Sequence, residues 1–401
     1  MKKTDLVILA GGKGSRIKKY LRGKPKPMIK FNNKFFLSYI INNFSKYDFK
    51  NIYLLTGYRH KIIFDNFHKK KYNFILIKCL NEKKPLGTGG ALNSLRKIKN
   101  LNDFILINGD TFFDINPNDL IKIPKKNDLG CVSLLKRNRD LDYNIKLNNL
   151  GINNEQLIFS KSRKFINGGV YYFKKKILNY IPKNYSSLEN EILPELIIKN
   201  KIKGKVFNNF FIDIGSKKFL KTGAKILRKF QNKPAVFLDR DGVINHDLNY
   251  VYKKKDFKFK KGVLKSLRYI SSKNYYIFIV TNQAGIAKGK FNISDFEKLH
   301  IYLKKNFLKN NIYINDVKFS PYHPRAKIKK FKKKTSLRKP GNLMIKQIFK
   351  NWDINKKKSF MIGDNIKDQK SAKKSQLYFE FVEKNFLSQI KRIIKKKINN
   401  Y

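Results

Sequence analysis

The chain has 401 residues, 41% of them hydrophobic, enough for two domains that each bury a core. Lys and Arg number 90 against 28 Asp and Glu, a formal net charge of +62, so anionic substrates are favoured and nonspecific polyanion binding is expected. No run of eighteen uncharged apolar residues occurs, which argues against a membrane-spanning helix.

The basic residues are spread over both halves, with one denser run at Lys327–Lys334. A nucleic-acid binder concentrates charge on one face or arm, so no specific nucleic-acid partner is expected. Cys79 and Cys131 form no framework and suit a reducing cytoplasm. The N-terminal apolar segment stops at Gly11-Gly12, which reads as a short strand and not a signal peptide. The expected location is cytoplasmic.

In chain order, Leu6–Ala10 reads as a buried strand, followed by the turn Gly11-Gly12-Lys13-Gly14-Ser15-Arg16. Glycines after a strand let backbone N–H groups approach phosphate oxygens. The turn is neither a dinucleotide fingerprint nor a P-loop. Lys24-Pro25-Lys26-Pro27-Met28 is stiffened by proline and either fixes Lys26 toward a phosphate or forms a solvated basic loop. Strands are expected at Asn51–Tyr58, Phe74–Ile77 and Phe104–Thr111, the last delivering Asp110 at its end. Pro85–Leu92 is a second glycine-rich turn, entering a helix. Alternating strand and helix patterns imply a mostly parallel, doubly wound α/β sheet.

Gly-Gly-x-Gly-x-Arg, Lys-Pro-Lys-Pro-Met, Pro-Leu-Gly-Thr-Gly-Gly-Ala and Asn-Gly-Asp-Thr, in that order, resemble the sugar-1-phosphate nucleotidyltransferases, in particular their heptose 1-phosphate guanylyltransferase branch. The likeness continues at Ile166–Tyr171, Ser187–Glu189 and Phe211–Gly215 and covers about residues 4–228. It implies a Rossmann-like fold with a mixed sheet. It implies that Arg16 stabilises charge on the triphosphate, that Lys26 holds the reacting phosphates, and that Asp110 and Asp213 bind Mg²⁺. By the same resemblance Gly11, Gly12, Gly14 and Gly87 sit against the nucleotide, and Asn167, Gly168 and Glu189 face the sugar. For Asn167 and Gly168 a plain hairpin turn remains the alternative. Ser160-Lys161 stands where relatives often carry an acid before the lysine, which leaves part of the sugar contact open.

Gln231–Pro234 is a polar break that reads as a linker between domains at 1–230 and 235–385, with a basic helix or tail at 386–401. The next stretch, Ala235–Leu238, reads as a buried strand that ends in Asp239-Arg240-Asp241-Gly242. Two carboxylates at a strand end, where open α/β sheets bind ligands, suit Mg²⁺ plus phosphate, one acid attacking phosphorus and the other moving protons. The next strand, Tyr275–Val280, ends in Thr281-Asn282-Gln283. Arg338-Lys339 supplies cations. Ser359–Asn365 is a strand followed by Gly363-Asp364, with Asp368 four residues on.

This ordered set resembles the haloacid dehalogenase superfamily of phosphohydrolases. Within it, Asp-Arg-Asp-Gly-Val-Ile-Asn and Thr-Asn-Gln-Ala-Gly-Ile-Ala-Lys-Gly are similar to the heptose-1,7-bisphosphate phosphatases, with histidinol-phosphate phosphatases close by. The resemblance covers about residues 234–380 and implies a second Rossmannoid α/β domain. It makes Asp239 the nucleophile and Asp241 the proton donor and then base, Asp241 favoured in its protonated form by a neighbouring carboxylate. Thr281 and Lys339 would hold the phosphoryl group. Asp239 and Asp364 would hold Mg²⁺, with Asp241 reaching it through its backbone carbonyl. Asn282, Gln283 and Arg338 would hold substrate, while Asp368 either joins the site or caps a helix. Many relatives carry zinc in the following loop. Here Ser320, Tyr322, Thr335 and Leu337 occupy those positions and no zinc is expected. The tail from Phe386 has helical apolar spacing and either packs on its own domain or touches anionic lipid.

The two resemblances fit one substrate. A phosphatase acting on heptose 1,7-bisphosphate yields the heptose 1-phosphate that a nucleotidyltransferase joins to GMP from GTP, which gives a bifunctional enzyme of nucleotide-sugar biosynthesis. Two alternatives stand beside it. One is the same pair of chemistries on mannose or another sugar. The other is a basic polyanion-binding protein on a decayed scaffold, against which stands the presence of every expected acid and cation. Base, anomer and oligomeric state, homo-oligomer included, stay open.

Overall fold

A computed structural model of the chain describes residues 3–14, 17–137, 147, 149–215 and 217–399. They form two compact units, Met1–Ser45 with Phe49–Ile226, and Lys46–Asp48 with Leu227–Tyr401. The division falls inside the helix Lys217–Gln231, slightly before the polar break at 231–234.

The first unit is built on a ten-stranded mixed sheet. At its centre Phe104–Asn108, Thr4–Leu9, Phe49–Thr56 and Ile75–Asn81 run parallel. Their near-continuous Val, Ile and Leu content follows from burial on both faces. Phe165–Phe173 is antiparallel to both its neighbours, Phe104–Asn108 and Gly130–Lys136, and turns the sheet from parallel to mixed. A register irregularity between Asn167 and Tyr171 sets Asn167 apart from the regular ladder, and such bulges re-aim side chains beside sites. Asn167 and Gly168 therefore sit inside a strand, not in a hairpin turn. A short pair, Thr111–Phe113 with Phe211–Asp213, aligns Asp213 with Thr111, so Asp213 comes up next to Asp110 although 103 residues apart in sequence.

The second unit holds a five-stranded, all-parallel sheet in the order Asp316–Ser320, Tyr276–Asn282, Ala235–Leu238, Phe360–Gly363, Tyr378–Phe381. Ala235–Leu238 is central and buried throughout, as four consecutive apolar residues require. Trp352 packs edge-on against Tyr276 and Phe278, with ring centroids 4.9 and 5.5 Å apart, in the core beneath the sheet. The basic tail is the helix Phe386–Asn399, and its Phe386, Ile390, Ile393 and Ile394 are buried, so its apolar stripe faces protein and not lipid. No described helix is long and apolar enough to cross a membrane.

Candidate functional sites

In the first unit the proline-stiffened segment folds as a 3-10 turn, Lys26–Met28, that buries all three residues. This removes the solvated-loop alternative for Lys26. Its ammonium hydrogen-bonds Asp110 and lies 3.8 Å from Asp213 Oδ1. The Ile214 amide donates to the Asp110 carbonyl, which ties the two acid-bearing segments together. A cleft opens over them, and Gly12, Asn108, Asn167, Gly169 and Glu189 also line it. Glu189 is buried and accepts from the Thr88 hydroxyl at 2.7 Å, while Thr88 in turn accepts from the Leu188 amide. Asn167 donates to Tyr171 and accepts from the Gly169 amide.

Gly168 was expected at the sugar face. It is packed against Ser133 and Phe113, and the lining residue is Gly169. A second cavity, about 470 Å³, lies beside the first and shares Leu9, Gly12 and Thr88 with it. Gly11 and Gly87 line it. Gly87 has φ +78°, and a Cβ there would strike the Ser186 carbonyl, so the glycine is required on two counts. Gly14, with φ +63°, lies against Leu21 and Lys26. Arg16 lies outside the described residues.

In the second unit Asp239 follows the central strand. Its Oδ1 accepts from the Arg240 amide at 2.7 Å and its Oδ2 lies 2.8 Å from Lys339 Nζ. Lys339 is buried, and its ammonium also meets Asp368 Oδ1 at 2.5 Å and donates to the Val280 carbonyl. Oxygens of Asp239, Asp364 and Asp368 all lie within 4.8 Å of one another. Gly242 has φ +80°, and a Cβ there would fall inside the Asp364 carboxylate, so this turn admits only glycine. Burial pushes the Asp239 pKa up, Lys339 pulls it down, and Asp368 pushes it up again. For Lys339, burial opposes the charge, but Asp239 and Asp368 outweigh it and hold the ammonium above its ordinary range.

Three expectations change here. Asp241 is expected to be favoured in its protonated form by a nearby carboxylate, and Asp239 is near enough to interact with it. The Asp241 oxygens nonetheless accept from the buried Arg240 guanidinium at 2.9–3.2 Å, from Asn245 at 3.0 Å and from Gln283 at 2.9 Å. The acids cluster around Asp239. Asn282 and Gln283 were expected to hold substrate. Asn282 exchanges two hydrogen bonds with the Lys339 backbone, and Gln283 donates to Asp241 and to the Thr281 hydroxyl. Both amides position protein groups. Asp368 joins the site and caps a helix at once: Oδ1 meets Lys339, and Oδ2 accepts from the Asn365 amide. Arg338 is half-buried and donates to the Tyr322 carbonyl. In the loop at 327–334, Phe331 is buried and the lysines are exposed.

Residues 6–143 match the family model for nucleotidyl transferases, and residues 236–392 match that for polynucleotide kinase 3 phosphatases. Over 214 residues, 52% of this chain and 93% of the relative, the chain is 37% identical to D-glycero-alpha-D-manno-heptose 1-phosphate guanylyltransferase of Campylobacter jejuni. The other half is 41% identical over 138 residues, 34% of this chain and 75% of the relative, to D-glycero-alpha-D-manno-heptose-1,7-bisphosphate 7-phosphatase of the same organism. It is 36% identical over 141 residues, 35% of this chain and 78% of the relative, to D-glycero-beta-D-manno-heptose-1,7-bisphosphate 7-phosphatase of Rhodopseudomonas palustris. The chain belongs to the sugar-phosphate nucleotidyltransferases in its first half and to the heptose-bisphosphate phosphatases in its second.

The nucleotidyltransferase half thus carries a lysine between two aspartates under a two-chambered cleft. The phosphatase half carries a carboxylate triad around a buried lysine. Sequence reasoning passed over Arg240, Thr88, Asn108 and Gly169. Arg240 stands inside the Asp-x-Asp motif, and Thr88 and Gly169 inside quoted motifs. The signal was present, but their roles depend on partners distant in sequence.

Proposed function

We propose that the chain removes the 7-phosphate from D-glycero-D-manno-heptose 1,7-bisphosphate and joins the resulting heptose 1-phosphate to GMP, releasing pyrophosphate from GTP. The observation that carries this is the pairing of two different phosphate-handling centres, Lys26 with Asp110 and Asp213, and Lys339 with Asp239, Asp364 and Asp368.

In the phosphatase half, Asp239 attacks phosphorus; a carboxylate–phosphorus bond forms as the bond to the sugar oxygen breaks. Asp241, once protonated with one of its donors displaced, gives that oxygen its proton, then takes one from the water that hydrolyses the aspartyl-phosphate. Arg240, Gln283 and Asn245 hold Asp241 in place. Lys339 and Thr281 hold the transferring group, the lysine offsetting its negative charge and the hydroxyl donating a hydrogen bond. The oxygens of Asp239, Asp364 and Asp368 are a hard donor set that fits Mg²⁺, and the ion would offset repulsion between carboxylate and phosphate dianion.

In the nucleotidyltransferase half no protein nucleophile is needed. An oxygen of heptose 1-phosphate attacks the α-phosphorus of GTP and the bond to pyrophosphate breaks, so positioning and positive charge carry the rate. Lys26 and Arg16 supply the charge, and Asp110 and Asp213 would hold Mg²⁺. Gly11, Gly12, Gly14 and Gly87 border the nucleotide, and Asn167, Gly169 and Glu189 border the sugar. The test is mass spectrometry of products from heptose 1,7-bisphosphate, GTP and Mg²⁺. A GDP-heptose ion is expected, and its absence with every common nucleoside triphosphate contradicts the reading.

A further inference from the structure

The acid pair of the first unit is engaged by a side chain of its own. Lys26 hydrogen-bonds Asp110, and its Nζ lies 3.8 Å from Asp213 Oδ1. The backbone leaves room for this position. A Cβ on Gly215 would come 2.9 Å from Nζ and 2.8 Å from Asp213 Oδ1, so a side chain there would push the ammonium aside. The Gly215 amide donates to the same Asp213 oxygen at 2.6 Å, which aims that carboxylate.

Pro25 and Pro27 stiffen the chain on either side of Lys26, so what can still move is the side chain. Among the described residues no backbone carbonyl receives its ammonium, whereas the Val280 carbonyl receives that of Lys339. The acids are thus what hold the Lys26 tip in place.

Two demands then fall on the same carboxylates. Asp110 and Asp213 would hold Mg²⁺, and an ammonium against them opposes a second cation twice over. It takes up their lone pairs, and at a few ångströms it repels a divalent ion. A triphosphate resolves the conflict, because its oxygens give the ammonium another acceptor. We propose that Lys26 gates the acid pair: its ammonium holds Asp110 and Asp213 until the nucleotide's phosphates draw it off, so that the pair binds metal tightly only together with the nucleotide. Lys26 thereby couples the two ligands, and the coupling is reciprocal. The gate also keeps the acids from standing bare, which would repel an incoming polyanion.

This proposal rests on the reading of Asp110 and Asp213 as the metal-holding pair, and its test separates the two. The full chain is titrated with Mn²⁺ alone, whose spin resonance signal as the free ion is lost on binding. The site of interest is the part of the binding that Asp110→Asn removes, in the wild type and in each variant. Lys26→Met and Lys26→Gln, the second keeping a hydrogen-bond donor without the charge, are expected to bind Mn²⁺ at that site roughly tenfold or more tightly than the wild type. They should do so even as their turnover falls. A lysine that merely braced the acids would give the opposite sign, since a loosened pair holds metal less well. Binding no tighter than wild type in both variants overturns the gate. A second arm supplies Mn²⁺ and GTP in equal amounts: the wild type is expected to bind the complex, and Asp110→Asn to bind it roughly tenfold or more weakly. If that arm succeeds while the first fails, the gate alone falls. If Asp110→Asn binds the complex as the wild type does, the metal assignment of the pair falls and the gate with it.

Discussion

The two centres meet one electrostatic difficulty, an anion brought against a phosphate, with opposite degrees of enclosure. Around Lys26 the partner side chains stay open, Asp110 at 31% and Asp213 at 23% exposure. Around Lys339 they are more enclosed, Asp239 at 14% and Asp368 at 1%. The difference follows the chemistry. Transfer of a nucleotidyl group needs room for two substrates and a leaving pyrophosphate, and the protein forms no bond to phosphorus. A carboxylate that itself attacks phosphorus gains from having water stripped away and from fixed partners at both oxygens.

That contrast is most severely tested at Lys339. Lys339→Met leaves Asp239 and Asp368 buried without their cation. It should cost about 3–5 kcal/mol in denaturant unfolding of the second unit and remove phosphate release. The matching change at the open centre, Lys26→Met, should lower pyrophosphate release about 10²–10³-fold in steady-state kinetics while unfolding shifts far less. Equal stability losses from the two changes would erase the distinction.

Gly242→Ala places a methyl group where the Asp364 carboxylate sits and forces a strained φ. A loss of roughly 2 kcal/mol or more by thermal unfolding is expected, with phosphatase activity falling alongside. One buried histidine adds an acid-sensitive contribution to the second unit. His300 is buried, and that burial, reinforced by Arg240, holds its pKa well below the ordinary value. The unfolded chain then binds a proton that the folded one refuses, so stability falls as pH drops below about 6.5, by at most about 1.4 kcal/mol per pH unit. His300→Gln should flatten that slope in urea unfolding measured at pH 5.5 and 7. Smallest, Asn365→Ala removes the capping box with Asp368 and should cost about 1 kcal/mol while disturbing Lys339 only through Asp368.

Much of this was legible from sequence because strand-end acids and glycine turns are local patterns. Asp110, Asp239 and Asp364 each follow an apolar run, and Gly242 sits in the same short motif as Asp239 and Asp241. What was not legible depends on partners brought together by folding. Nothing in the order Asp239-Arg240-Asp241 says that Arg240 turns inward onto its neighbour, because that requires Val251, Gln283 and His300 to surround it. Asn282 and Gln283 carry polar amides at a strand end, where substrate contact and protein contact look alike until Lys339 and Asp241 are in place. Gly168 and Gly169 are neighbours of identical type, and only the bulge after Asn167 decides which lines the cleft.

The central claim is that two independent centres act on opposite ends of one sugar. It is tested most directly by following phosphate and pyrophosphate release together from the wild type, Asp239→Asn and Asp110→Asn, supplied with heptose 1,7-bisphosphate, heptose 1-phosphate, GTP and Mg²⁺. The account predicts that Asp239→Asn releases pyrophosphate from GTP, with heptose 1-phosphate as acceptor, at the wild-type rate but no phosphate from the bisphosphate, and that Asp110→Asn does the reverse. Loss of both products from either single substitution, with the chain still folded, would contradict it.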